Sequence, residues 1–376
     1  MAKRLVVCCD GTWNTPDQKT DGKPTPTNVA KVAMALAPTD ADGREQRLYY
    51  HRGVGTTRTD RLLGGAFGAG LFRDVRDTYR FVVQNYQPGD ELFFFGFSRG
   101  AFTARSTAGL IRNSGVLRRE NEDQIDQAYA LYRDRKRDTH PRSVEATLFR
   151  KMYSHEPGIR FIGVWDTVGA LGIPTSSVWL ANRFNRRYEF HDTDLSSTVD
   201  EAYQALAIDE RRGPFVPAVW SQSDPVPGKQ RLEQVWFTGV HCDVGGGYVD
   251  HGLSDIALCW MLEKARGAGL AFVDKAFLPA GSDSVEPVST EQIVDAYTRI
   301  NPNPVGKPHD SRTGIYRFLR PFVRKGGIGA RSNEYIASTV DRHRASPGWW
   351  EGPLPNDDAE HRVTSVDLAD DLSRAG

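Results

Sequence analysis

A serine, an aspartate and a histidine, each just after a short apolar run, could together break an ester bond in this chain. Ser98 lies in ELFFFGFSRGAFTARSTAGL (91–110), where Gly96-Phe97-Ser98-Arg99-Gly100 fits G-x-S-x-G. In that pattern a strained strand-to-helix turn lifts the serine oxygen above the sheet edge, and the glycines let neighbouring backbone pass close. The five-residue match is weak alone. Its context strengthens it: an apolar run precedes Gly96, and AFTARSTAGLI continues as a helix. A free hydroxyl is nearly un-ionised at neutral pH and needs a base. The base in turn needs an acid to fix its tautomer and steady its positive charge.

Asp166 ends the run in IRFIGVWDTVGA (159–170), and His241 follows VWFTGV. The chain order Ser, Asp, His, with each member after a strand, is the order used on sheets of this type. The bland readings are a turn serine at 98, a helix-capping or turn aspartate at 166 and a structural histidine at 241. His251 is a rival base, but it reaches the site only if DVGGGYVD folds over. Asp243 could stand in for Asp166, although two residues from His241 it more naturally shapes the loop. The oxyanion would take the backbone N–H of Arg99 and a second donor from CCDGTWN, with Gly11 and Thr12 as candidates. Asp10 then fixes that loop. An aspartate ending the first strand also suits a phosphatase with an aspartyl nucleophile, but the second acid such enzymes carry two residues on is replaced here by Thr12.

These residues must be held by strands whose carboxyl ends share one rim. Apolar runs at 4–10, 47–55, 91–97, 159–170 and 234–248 read as strands. LFRDVRDTYRFVVQNY (71–86), the stretch after Ala101 and LSDIALCWMLEKARGAG (253–269) read as helices. The alternation predicts an α/β protein, a mostly parallel sheet with helices on both faces. Two segments, 117–157 and 171–232, read as cap insertions above the carboxyl ends of the strands, the second with aromatic surface in WLANRF and FVPAVW. Residues 1–269 would then form the core and 270–376 an extension packing on it, with a helix in ARSNEYIASTVDRHR (330–344) and a loose end.

The 376 residues carry 48 Lys plus Arg against 48 Asp plus Glu, so no overall field favours nucleic acid. GVGTT (53–57) and GGAFGAG (64–70) fit neither phosphate-loop pattern. The cysteines lack a C-x-x-C pair or a disulfide-like spacing, so neither zinc nor a disulfide framework is expected, and the chemistry needs no metal or other cofactor. The apolar run after MAKR is too short for a signal peptide, and no run is long enough to span a membrane. The reading is a cytoplasmic protein, although a signal-independent export route would leave no trace. RFLRPFVRKGGIGAR (317–331) could meet anionic headgroups in a peripheral membrane contact, or another anion, a solvated face being the default.

With CCDGTWN, GFSRGA, VWDTVGA and GVHCDVGGGY in this order, the sequence resembles the catalytic domain of the type VI secretion phospholipase effectors of the first lipase family, over roughly residues 3–265. ALAIDERRGPFVPAVW (205–220) also matches that family's style. The resemblance implies an α/β-hydrolase fold and a triad of Ser98, Asp166 and His241. It also implies esterase or phospholipase A activity, as in the members that are secreted toxins, and the expected reaction is that of a serine hydrolase cleaving lipid acyl esters through an acyl-enzyme. The chain carries no recognisable membrane-anchoring or secretion-apparatus module, which bears on the toxin role and phospholipid specificity more than on hydrolysis. The alternative from another class is a non-catalytic scaffold that binds a lipid or a protein.

Overall fold

A computed structural model describes residues 2–12, 14–53, 67–134, 140–169, 194–223, 228–273, 276–277, 297–324 and 333–344. Seven strands form one sheet: β1 (Arg4–Cys9), β2 (Gln46–His51), β3 (Glu91–Phe97), β4 (Ile159–Trp165), β5 (Val199–Ala207), β6 (Arg231–Phe237) and β7 (Glu334–Ile336). Their spatial order is β2-β1-β3-β4-β5-β6-β7, and every neighbouring pair is parallel. Unbroken apolar strands suit such a sheet, because helices cover both of its faces.

The alternation of side chains divides the core in two. Leu5, Val7 and Cys9 of β1 and Leu92 and Phe94 of β3 join the cluster that contains Val75, Tyr79 and Val82 of α2 (Phe67–Asn85) and Ala101, Ala104 and Ala108 of α3 (Arg99–Ser114). Val6, Cys8, Phe93, Phe95 and Phe97 point the other way. There they meet α1 (Asn28–Ala35) and the helix Gly252–Gly267, which is α7 below, through Val29, Val32, Ile256 and Met261.

The chain steps from β1 outward to β2, then crosses back to pair β3 on the other side of β1. The connections leaving β1 and β3 therefore run in opposite directions, and the carboxyl ends of such a strand pair are the place where open α/β sheets bind ligands. Asp10 and Ser98 stand at this switch point.

Three elements differ from the sequence expectation. β5 lies inside the segment read as the second insertion. Asp200, Glu201 and Gln204 break its apolar pattern, yet Gln204 is fully buried because its amide donates to Gln234 Oε1 at 2.9 Å and to Ala218 O at 3.1 Å. α1 was hidden by Lys31, a buried cation on its inward side that donates to Asp255 at 2.6 Å. The stretch 330–344 is not one helix: β7 comes first, and α8 (Ser338–Arg344) follows.

The described part of 117–157 forms α4 (Ile125–Arg133) and α5 (Val144–Tyr153). Ile125, Ala128, Ala146 and Phe149 belong to the cluster shared with α2 and α3. The pairing of Val116–Leu117 with Ser154–His155 ties the segment down where α3 ends and β4 is about to begin. These residues thicken one helical layer and do not form a lid over the carboxyl ends. WLANRF lies outside the described residues.

Candidate active site

Ser98 joins β3 to α3 with φ 57° and ψ −119°, a left-handed conformation that non-glycine residues hold at a cost of about 1–3 kcal/mol. Close backbone packing imposes it. A Cβ on Gly100 would sit 2.1 Å from the Cys9 carbonyl oxygen, and one on Gly96 would sit 2.6 Å from Ala101 Cα. The Ser98 N–H donates to Trp165 O at 3.0 Å, stitching the elbow to the end of β4. Both glycines of the motif are thus sterically required, and the serine sits on a built turn.

The residue just after β4 is Asp166, which is fully buried. Its Oδ2 lies 2.6 Å from His241 Nδ1. His241 opens α6 (His241–Gly245), a short helix whose Gly245 packs against the Phe97 ring. The imidazole lies 4.6 Å from the Phe97 ring and 4.9 Å from the Phe215 ring, centroid to centroid, so it is walled by aromatics on two sides. Serine elbow, aspartate and histidine therefore share one rim. His241 is bonded to Asp166, while the Ser98 hydroxyl makes no hydrogen bond to it among the described residues.

Two charged pairs surround this couple, and the sequence reading found neither. Arg324 is buried and donates from Nη1 to Asp166 Oδ1 at 2.6 Å and from Nη2 to Oδ2 at 2.9 Å, with further bonds to the carbonyls of Ala207 and Phe215. Ala207 N–H also donates to Asp166 Oδ1 at 3.0 Å. Burial alone would raise the Asp166 carboxyl. Arg324 and His241 outweigh it and hold the group well below the usual carboxylate range. Glu210 is buried against Arg212, which grips it with Nε at 2.9 Å and Nη2 at 2.8 Å. Glu210 also accepts from the His241 N–H at 3.3 Å and from the Ser311 hydroxyl at 3.0 Å. Burial drives the His241 imidazole below its ordinary value, although Asp166 and Glu210 pull it up.

The loop after β1 corrects part of the oxyanion expectation. Asp10 Oδ1 accepts the Gly11 N–H at 2.6 Å, and Oδ2 accepts the hydroxyls of Thr27 at 2.7 Å and Tyr50. The Gly11 N–H is thus engaged by its neighbour, whereas Thr12 donates no backbone hydrogen bond among the described residues. Asp10 is the loop-fixing acceptor. Burial raises its carboxyl to about 6 against the pull of those donors.

Asp243 shapes its loop in the same way. It accepts from Val240 N–H at 3.0 Å and holds His309 Nδ1 at 2.6 Å. His251 is held elsewhere: its Nδ1 lies 2.5 Å from Asp255, which also binds Lys31. The His251→Ala variant is expected to lose about 1–3 kcal/mol of stability, read by urea unfolding, because the buried Asp255 would lose a partner. An unfolding midpoint equal to the wild type would contradict that structural role. Among the described residues no three His, Cys, Asp or Glu side chains gather to hold a metal ion.

The family model described as "T6SS, Phospholipase effector Tle1-like, catalytic domain" matches residues 3–264. An uncharacterised protein of Saccharomyces cerevisiae, YEL023C, is 29% identical over 271 residues, covering 61% of this chain and 37% of the yeast protein. Among solved structures, an uncharacterised protein from Pseudomonas aeruginosa is similar with a TM-score of 0.47 and 18% identity, over 80% of this chain and 49% of that one. Thermogutta terrifontis esterase 2, phosphoramylated by tabun, gives a TM-score of 0.35 and 13% identity, over 72% of this chain and 85% of that one. This chain thus spans little more than a third of the yeast relative and about half of the Pseudomonas protein.

Proposed function

Since this chain belongs to the family of T6SS phospholipase effectors with a Tle1-like catalytic domain, we propose that it is a serine hydrolase of carboxylic esters, with lipid acyl esters as its substrate class. The observation that carries the reading is the buried bond from His241 Nδ1 to Asp166 Oδ2 on the rim where the Ser98 elbow stands. That bond leaves Nε2 as the free imidazole nitrogen, the atom that must take the serine proton.

In this reading Ser98 Oγ attacks the ester carbonyl as His241 Nε2 removes its proton. Asp166 then faces an imidazolium, and its carboxylate stabilises that charge at the 2.6 Å bond. The oxyanion forms beside the first turn of α3, whose leading N–H groups have no intrahelical acceptor and whose dipole favours negative charge. The Arg99 N–H is the first donor, and the Thr12 N–H is the candidate for the second. His241 returns its proton to the leaving alcohol, and the same nitrogen then activates water against the acyl-enzyme. The phosphatase reading loses support, because the Asp10 carboxylate is taken up by Gly11, Thr27 and Tyr50.

The pH dependence follows from His241. The base must be neutral, and burial lowers its pKa from the ordinary value of about 6.5. Activity is therefore present at neutral pH and lost as the pH falls through the lowered value. The kcat/KM profile for p-nitrophenyl butyrate should show an acid limb with its midpoint below about 6.5. A midpoint above 7 would contradict the assignment.

A further inference from the structure

We propose that the turn spanning residues 316–323 is a docking surface for an anionic lipid bilayer, which sets the mouth of the site against the membrane. The functional sense of the proposal rests on the lipid-ester reading above. The surface itself rests on separate observations.

Residues 317–321, Arg-Phe-Leu-Arg-Pro, are all exposed. Phe318 is 89% exposed, Leu319 40% and Val323 45%, with Val216 on the neighbouring segment at 46%. An almost wholly bare phenylalanine among other exposed apolar side chains is unusual on a surface facing only water. Arg317 and Arg320 flank it, and neither forms an ion pair among the described residues. The chain as a whole has no net charge, so this cationic, apolar turn is a local feature. Its charge complements anionic headgroups, and its side chains suit the layer just beneath them.

The turn is built, not loose. Arg312 Nη2 donates to the carbonyls of Tyr316 at 3.2 Å, Arg317 at 3.3 Å and Leu319 at 2.6 Å, clamping the backbone that displays Phe318. Phe322 N–H donates to Arg211 O at 2.9 Å.

Both ends of the turn reach the site. The Tyr316 ring lies 6.4 Å from Phe215, which packs on His241. Arg324, one residue past Val323, binds Asp166. A bilayer that received Phe318 would meet the protein beside the Asp166–His241 pair.

The test is co-sedimentation with phosphatidylcholine vesicles, with and without phosphatidylglycerol, in parallel with hydrolysis of dissolved p-nitrophenyl butyrate. The wild type should bind the anionic vesicles, less so as salt rises. Phe318→Asp should weaken that binding roughly ten- to hundredfold. Joint replacement of Arg317 and Arg320 by Gln should weaken it by roughly fivefold per arginine and flatten its salt dependence. Hydrolysis of the dissolved ester should be unchanged in all variants. Equal vesicle binding by the wild type and Phe318→Asp would overturn the proposal. So would a substitution that altered only self-association in sedimentation velocity. Failure of the wild type to cleave the dissolved ester would sink the esterase reading instead, while the vesicle result would still decide the docking surface.

Discussion

Ser98→Ala should lower kcat on p-nitrophenyl butyrate by a factor on the order of 10⁵–10⁶, with the fold intact. Loss of a serine nucleophile costs about that much where base and acid can act only through it. The remaining rate, roughly 10³–10⁴ above water, would come from the α3 N-terminus and from substrate positioning. Alanine removes no folding contact that the structure assigns to the hydroxyl, because the elbow is held by the Ser98 N–H on Trp165 O and by Gly96 and Gly100. Unfolding midpoint and circular dichroism should therefore match the wild type. Retained ester hydrolysis in Ser98→Ala would contradict the nucleophile assignment outright.

Asp166→Asn should lower kcat by about 10⁴ and also destabilise the protein. The two effects have different origins. The catalytic loss follows from His241, which would have to become an imidazolium beside a neutral amide. The stability loss follows from Arg324, whose side chain is fully buried and whose carboxylate partner would be gone. Breaking a buried ion pair from one side costs about 3–5 kcal/mol. Double replacement, Asp166→Asn with Arg324→Gln, removes the stranded charge. It should recover part of the urea midpoint but none of the activity, since residues in direct contact do not add independently. Stability unchanged in the single variant, with kcat within about tenfold of wild type, would argue against both roles.

Much of the candidate site is legible in the sequence, and the reason is local. Ser98, Asp166 and His241 each follow a run of apolar residues long enough to be a buried strand. In a parallel sheet the carboxyl ends of such strands lie on one side. The elbow motif carried its own steric logic in Gly96 and Gly100. What stayed hidden depended on partners distant along the chain. Arg324 lies 158 residues after Asp166, in a segment rich in arginine where nothing marks one guanidinium as the buried one. Glu210 sits in an ERR run that reads as solvated surface until Arg212 and Ser311 are seen closing on it.

The same cause explains the fold errors. Lys31 and Gln204 put polar atoms where a buried element should show apolar ones, and only Asp255 and Gln234 make those atoms tolerable inside. The Gly11 donor was misjudged at shorter range. The sequence cannot tell whether an aspartate accepts from its neighbour's N–H or leaves it for a substrate. The resemblance ends near residue 265, yet Arg324 lies beyond it, so the carboxyl-terminal extension completes the surroundings of Asp166 and is more than a covering.

The proposed chemistry stands on the hydroxyl of Ser98 as nucleophile, made reactive by His241. Its most direct test is labelling of the folded protein with a fluorophosphonate, followed by peptide mass spectrometry. One adduct is expected, on Ser98, formed far more slowly in His241→Ala and absent in Ser98→Ala. No adduct on the wild type, or a modification mapped to another residue and indifferent to His241, would contradict it.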